Sequence, residues 1–244
     1  KTTDGRVLFA IPWQGRVLLG TTDSARTDMP LEPHALPGEV DFILATAARY
    51  LLRPPTPADV LSVFAGLRPL AGSGQGGSTA GLSREHAIEV SPGGLVTLSG
   101  GKWTTYRRMG ADAVDAASAH AGLPGRASCT ATLRLHGAPA GPCADPYGSE
   151  RAQVDALPGA ARRVHEGLAL SEAEVRHAVR SELARTVEDV LARRHRALFV
   201  DAALAQAAAP AVAALMAAEL GRDARWAAAQ VQAFSALAGA YRLG

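Results

Sequence analysis

Leu98-Ser99-Gly100-Gly101-Lys102-Trp103-Thr104-Thr105-Tyr106-Arg107-Arg108 is the stretch on which the reading of the fold turns. A strand-like run enters two glycines and leaves as a helix, expected from about Thr104 to Ala121, with Tyr106, Met109, Ala113, Val114 and Ala117 on one face. Backbone N–H groups and a lysine then converge at a helix N-terminus, a geometry that stabilises an anion. Lys102 is one of two lysines, the other being Lys1, in a chain that otherwise uses arginine. An ordinary exposed lysine beside an N-capping Thr104 gives the same pattern. Glycines that let a flat ring approach the backbone favour a site.

Working outward, the upstream sequence is mixed and β-rich. Residues 6–13 and 16–21 read as strands joined by Gln14-Gly15, and residues 86–90 and 95–98 flank Ser91-Pro92-Gly93-Gly94 in the same manner. Pro37 opens a helix with Val40, Ile43, Leu44 and Ala47 on its apolar stripe, extending to Leu51. Residues 59–70 hold a further strand candidate. Downstream, residues 126–147 are rich in Gly, Pro and Ala and read as a linker. The remainder is helical: Ser171-Glu172-Ala173-Glu174 is a capping box, and Thr186-Val187-Glu188-Asp189 is a second helix start. Alanine fills 19 of the last 44 positions, which lets helices pack closely; Pro210 is expected to split this segment and Gly221 to end the helix before it. The expected fold is therefore α+β, with a β-rich region over 1–125, a linker over 126–147 and an all-α bundle over 148–244.

Composition removes several classes of function. The 244 residues are 48% hydrophobic and 20% charged, which excludes disorder. Net charge is +2, with 11 basic and 11 acidic residues before Gly125 and 14 and 12 from there on. Bulk attraction to nucleic acid or an anionic membrane is thereby excluded. Cys129 and Cys143 lack CxxC spacing and read as reduced intracellular thiols. The seven histidines form no ligand-like pair, so no metal is expected. The uncharged run 202–218 carries Gln206 and Pro210 and reads as a packed helix of a bundle, too weakly hydrophobic to span a bilayer. The opening Lys1-Thr2-Thr3-Asp4-Gly5 has neither initiator Met nor signal-type run and reads as the start of an excised piece.

Two arginines carry the remaining chemistry. Gly72-Ser73-Gly74-Gln75-Gly76-Gly77 matches G-x-G-x-x-G, but no helical stripe follows it, so it is rejected as a cofactor fingerprint. That loop separates Arg68, inside the otherwise apolar run 64–70, from Arg84. Two guanidiniums flanking one loop can grip a phosphate or carboxylate jointly. The plainer alternative pairs Arg84 with Glu85 or Glu89 at the surface.

Gly20-Thr21-Thr22-Asp23, Gly66-Leu67-Arg68-Pro69-Leu70, Ser83-Arg84 and residues 100–107 resemble, in order, motifs of the FAD-dependent glycerol-3-phosphate dehydrogenases. Residues 186–194 resemble the signature of that family's C-terminal helical domain. The resemblance implies a flavoprotein that oxidises sn-glycerol 3-phosphate to dihydroxyacetone phosphate and passes electrons to membrane quinone. It makes residues 1–125 part of a substrate- and FAD-binding region. It places Arg68 in the active site and Arg84 as the second phosphate-binding arginine. Gly100, Gly101, Lys102, Trp103 and Thr104 become the segment that closes over the flavin ring, and Asp23 takes a structural role. It further implies a cytoplasmic protein, peripheral on the inner membrane face and able to form a homodimer.

The family's FAD-binding strand, its own G-x-G-x-x-G and its general base have no counterpart here, so the chain alone is expected neither to hold FAD tightly nor to turn over. His195 stands where relatives usually carry a small polar residue. An oxygen-using glycerol-phosphate oxidase, an amine or amino-acid oxidase of the same superfamily, and a non-enzymatic helical interaction module are the competing readings.

Overall fold

Gln14 and Gly15 have φ of +47° and +73°. That backbone is what a two-residue hairpin turn with the right twist requires, and it joins β1 (Phe9–Trp13) to β2 (Arg16–Gly20) in antiparallel register. The computed structural model describes residues 2, 5, 7–67, 85–143 and 145–243. By compactness these fall into two units, one formed by 1–66 with 139–244 and the other by 67–138. The fold is α+β, with two two-stranded sheets among the described residues and a helical C-terminal region.

In the first unit, α1 spans Pro37–Ala48, ending short of the expected Leu51. Glu39 accepts the Leu36 N–H at 3.0 Å, fixing the start of the helix. The expected strand over 59–70 is not formed among its described residues. Pro57–Asp59 make a 3₁₀ turn, and the chain then runs extended without a strand partner. Its backbone groups bond helix ends instead: the Leu61 carbonyl accepts from Ala202 N at 3.0 Å, and Val63 N donates to the Tyr241 carbonyl at 2.8 Å. Phe64 meets Phe199 edge-on, with ring centroids 5.0 Å apart.

The helical part is built from α3 (Arg151–Asp155), α4 (Glu172–Arg180), a π-helical segment (Asp189–Arg194), α5 (Ala197–Val200), α6 (Ala202–Leu220) and α7 (Ala224–Ala240). Both expected caps form. Ser171 N donates to Glu174 at 2.7 Å while Glu174 N donates to the Ser171 hydroxyl at 3.2 Å, and Thr186 and Asp189 make the same exchange at 2.9 and 3.1 Å. The second helix start widens at once into the π segment, closed by His195 N on the Val190 carbonyl. Pro210 does not split the alanine-rich run. It sits at an exposed position of α6, which runs through it unbroken, held by the buried face of Ala205, Ala209, Val212 and Met216. Gly221, with φ of +62°, ends α6 as expected.

The core of this region gathers Leu170, Val175, Val187, Val190, Leu191, Leu198, Val212, Met216 and Phe234, with small alanines of α6 between them. The helix Ala202–Leu220 is long and apolar enough to cross a membrane by length and composition alone. Ala205, Ala208, Ala209, Val212, Ala213 and Met216 bury one of its faces in that core.

The second unit contains β3 (His86–Val90), β4 (Val96–Gly100) and α2 (Tyr106–His120). The helix folds back along the hairpin. Met109 lies at Gly101 beside the end of β4, and His120 lies at Gly94 just before its start. The described residues of 126–147 contain neither helix nor strand.

Candidate functional site

The turn between β4 and α2 is held in a left-handed backbone. Gly100 and Gly101 have φ of +72° and +78°, a region that side chains disfavour. A Cβ at Gly101 would also stand 2.6 Å from Met109 Sδ and 3.3 Å from His86 Cβ. Conformation requires glycine there, and any side chain would also displace Met109 and crowd His86. Gly101 N donates to the Glu85 carbonyl at 3.3 Å, which anchors the turn to the start of β3.

Beyond the glycines, Lys102 is extended and Trp103–Thr105 form one 3₁₀ turn leading into α2. Thr104 is not the cap. Thr105 occupies that position, and both its N–H and its hydroxyl reach back to the Lys102 carbonyl at 2.9 Å. The helix therefore begins two residues later than expected. The N–H groups of Trp103 and Thr104 precede any helical acceptor and donate to no group among the described residues. Trp103 stacks on Tyr106 with centroids 5.3 Å apart yet stays 85% exposed. Lys102 and Thr104 are exposed too, and among the described residues no ion pair involves Lys102.

Bare backbone at two glycines, unclaimed N–H groups and one ammonium fit the edge of a flat anionic ring. The sequence pattern does not show what lies behind the turn. His86 Nε2 is 3.0 Å from Asp112 Oδ2, and Arg108 Nε lies 2.9 and 3.0 Å from the two Asp112 oxygens. The Arg108 hydrogen bond holds Asp112 below the usual carboxylate range, against a smaller opposing effect of burial. Only the i,i+4 spacing of Arg108 and Asp112 was visible in advance.

A second polar cluster follows β2. Glu39 accepts from Thr22 at 3.0 Å, Ser24 at 2.6 Å and Leu36 N at 3.0 Å. Burial pushes this carboxyl upward, but the three donors outweigh it and hold it below its ordinary value. Asp23, one residue away, is exposed. Arg68, Arg84 and the Gly72–Gly77 pattern lie outside the described residues. No group of three or more His, Cys, Asp or Glu that could hold a metal ion occurs among the described residues.

Comparison with known proteins places this arrangement. Residues 1–107 match the family described as FAD dependent oxidoreductase, and residues 96–227 match the C-terminal domain of alpha-glycerophosphate oxidase. The mitochondrial glycerol-3-phosphate dehydrogenase of Arabidopsis thaliana is 36% identical over 90% of this chain and 41% of its own length. The glycerol-3-phosphate dehydrogenase of Mycobacterium leprae is 37% identical over 80% of this chain and 37% of its own. The structure of the glycerol-3-phosphate dehydrogenase from Bacillus halodurans complexed with FAD aligns with a TM-score of 0.76 at 27% identity, covering 98% of this chain and 52% of that one. These matches set the first part of the chain among the FAD-dependent oxidoreductases. Within that class, the chain belongs to the FAD-dependent glycerol-3-phosphate dehydrogenase family. It spans about two-fifths of the length of these two curated relatives.

Proposed function

We propose that this chain supplies the substrate-facing, flavin-closing part of an enzyme that oxidises sn-glycerol 3-phosphate to dihydroxyacetone phosphate. The observation that carries the reading is the Gly100–Thr104 turn, with its left-handed glycines and unclaimed N–H groups, in a chain of this family. Bound FAD would take the C2 hydrogen as hydride at N5 and pass the electrons to quinone. Gly100 and Gly101 give the ring close access to backbone. The N–H groups of Trp103 and Thr104, together with the Lys102 ammonium, oppose the negative charge that builds on the reduced ring.

Arg68 and Arg84 take the dianionic phosphate, which sets the substrate's orientation. The proton leaving the C2 hydroxyl needs an acceptor, and a guanidinium cannot be one. The base is proposed to come from residues outside this chain. Without that base, and without the family's FAD-binding strand and glycine fingerprint, the 244-residue chain alone is expected to purify colourless and inactive. A yellow preparation with stoichiometric FAD would contradict this.

In the full-length gene product, Arg68→Ala should raise KM for glycerol 3-phosphate and lower kcat, a loss on the order of 2–5 kcal/mol if the contact is desolvated. Unchanged kinetics would remove Arg68 from the site. Dioxygen is the second reading for the acceptor, favoured by the description of the matched C-terminal domain. Oxygen uptake with peroxide release separates it from quinone reduction. A cytoplasmic dimer, peripheral on the inner membrane face, completes the proposal; sedimentation and membrane fractionation test it.

A further inference from the structure

Among the described residues from 85 to 138, none is buried, and Met109 of α2 lies against Gly101. A polar chain also reaches across behind the turn. His86, the first residue of β3, is the register partner of Gly100. Its Cβ lies 3.3 Å from where a Cβ on Gly101 would stand. Its Nε2 reaches Asp112 on α2 at 3.0 Å, and Arg108 engages both oxygens of the same carboxylate. A carboxylate only accepts, so His86 Nε2 carries the proton and donates. The bond joins the strand and the helix on the two sides of the turn. In sequence His86 also stands two residues after Arg84.

We propose that His86 is a positioning residue, whose hydrogen bond to Asp112 ties β3 to α2 and so fixes the aim of the Trp103 and Thr104 N–H groups and of Lys102. The inference rests on the reading that this turn meets a flavin. Both side chains are about a quarter exposed, 22% for His86 and 25% for Asp112. A bond so solvated adds little to stability. Its effect lies in orientation, because a donor displaced by a fraction of an ångström no longer meets the charge that develops.

The test uses the full-length enzyme with two variants of similar bulk. His86→Gln keeps a terminal N–H that can reach Asp112, and His86→Phe fills the space without a donor. The readouts are the FAD dissociation constant, kcat and KM with a dye acceptor, and Tm. His86→Phe should weaken FAD binding about tenfold and lower kcat, while His86→Gln stays within about threefold of wild type. KM for glycerol 3-phosphate should be nearly unchanged in both. The inference is overturned if Phe and Gln behave alike, or if Tm falls in the Phe variant with no flavin effect. A wild-type enzyme that does not oxidise glycerol 3-phosphate would sink the underlying reading instead. An active wild type whose Phe variant binds FAD normally sinks only the role of His86.

Discussion

The helices from 151 to 240 and the β3–β4–α2 segment hold their shape by different means. In the helices, Leu191, Leu198, Val212 and Met216 are fully buried, and capping side chains satisfy the helix starts. In the other segment Leu95, Val114 and Trp103 are mostly exposed, and the structure is fixed by a hairpin ladder, two left-handed glycines and the Arg108–Asp112–His86 chain. Packing and candidate chemistry are thus separated along the sequence. The region with the dense core carries no part of the proposed site. The region with the proposed site depends on hydrogen bonds and on backbone conformation.

The sharpest way to break this contrast is to cut a side chain in each region. Phe234→Ala opens a cavity in the helical core and should cost about 3–5 kcal/mol, measured by chemical denaturation. Val114→Ala should stay within about 0.5 kcal/mol, since its side chain is already in water. Equal losses would mean that Val114 is as tightly packed as Phe234.

A smaller effect is expected at Glu219. This carboxylate on α6 is 8% exposed and receives Arg176 at 2.5 Å and Arg180 at 2.6 Å, both from α4. The Arg180 hydrogen bond, more than burial opposes it, keeps Glu219 below its usual range. Glu219→Gln should cost about 2 kcal/mol, discounted from a fully buried pair because Arg180 is half exposed. A neutral result would show that the helices need no ionic tie.

The smallest effect is a pH dependence confined to the helical region. Burial holds His195 below its ordinary value of 6.5, with Glu174 and the Ala169 carbonyl opposing more weakly. The folded protein keeps this imidazole neutral where the unfolded chain takes up a proton. Stability from this group is therefore full above 6.5 and declines as pH falls from there towards the folded value. Asp189 acts lower down. Burial raises it, but the Arg185 and Thr186 donors outweigh that and hold it below 3.8, so its contribution fades only as pH drops past that range. Denaturation curves at pH 8, 6 and 5 should show the first decline, and His195→Gln should flatten it.

Legibility in the sequence followed the range of the interaction. Gln14-Gly15, both capping boxes and Gly221 act within four residues, and each could be read from its own neighbourhood. The run from Leu61 to Leu67 could not, because what shapes it is Ala202 and Tyr241, far along the chain. Its apolar residues matched a strand, yet its backbone bonds ends of helices. Pro210 was misread for a related reason: the buried face of α6 holds the helix across the proline, and that packing is tertiary. At the turn, Gly100-Gly101-Lys102 stood out in the sequence, whereas His86 and Asp112, 26 residues apart, meet only once α2 folds back on the hairpin.

Anaerobic addition of glycerol 3-phosphate to the full-length flavoprotein tests the central claim most directly. The oxidised flavin absorbance should bleach in the wild type and bleach far more slowly in Lys102→Met. Absorbance that stays unchanged in the wild type would contradict the account.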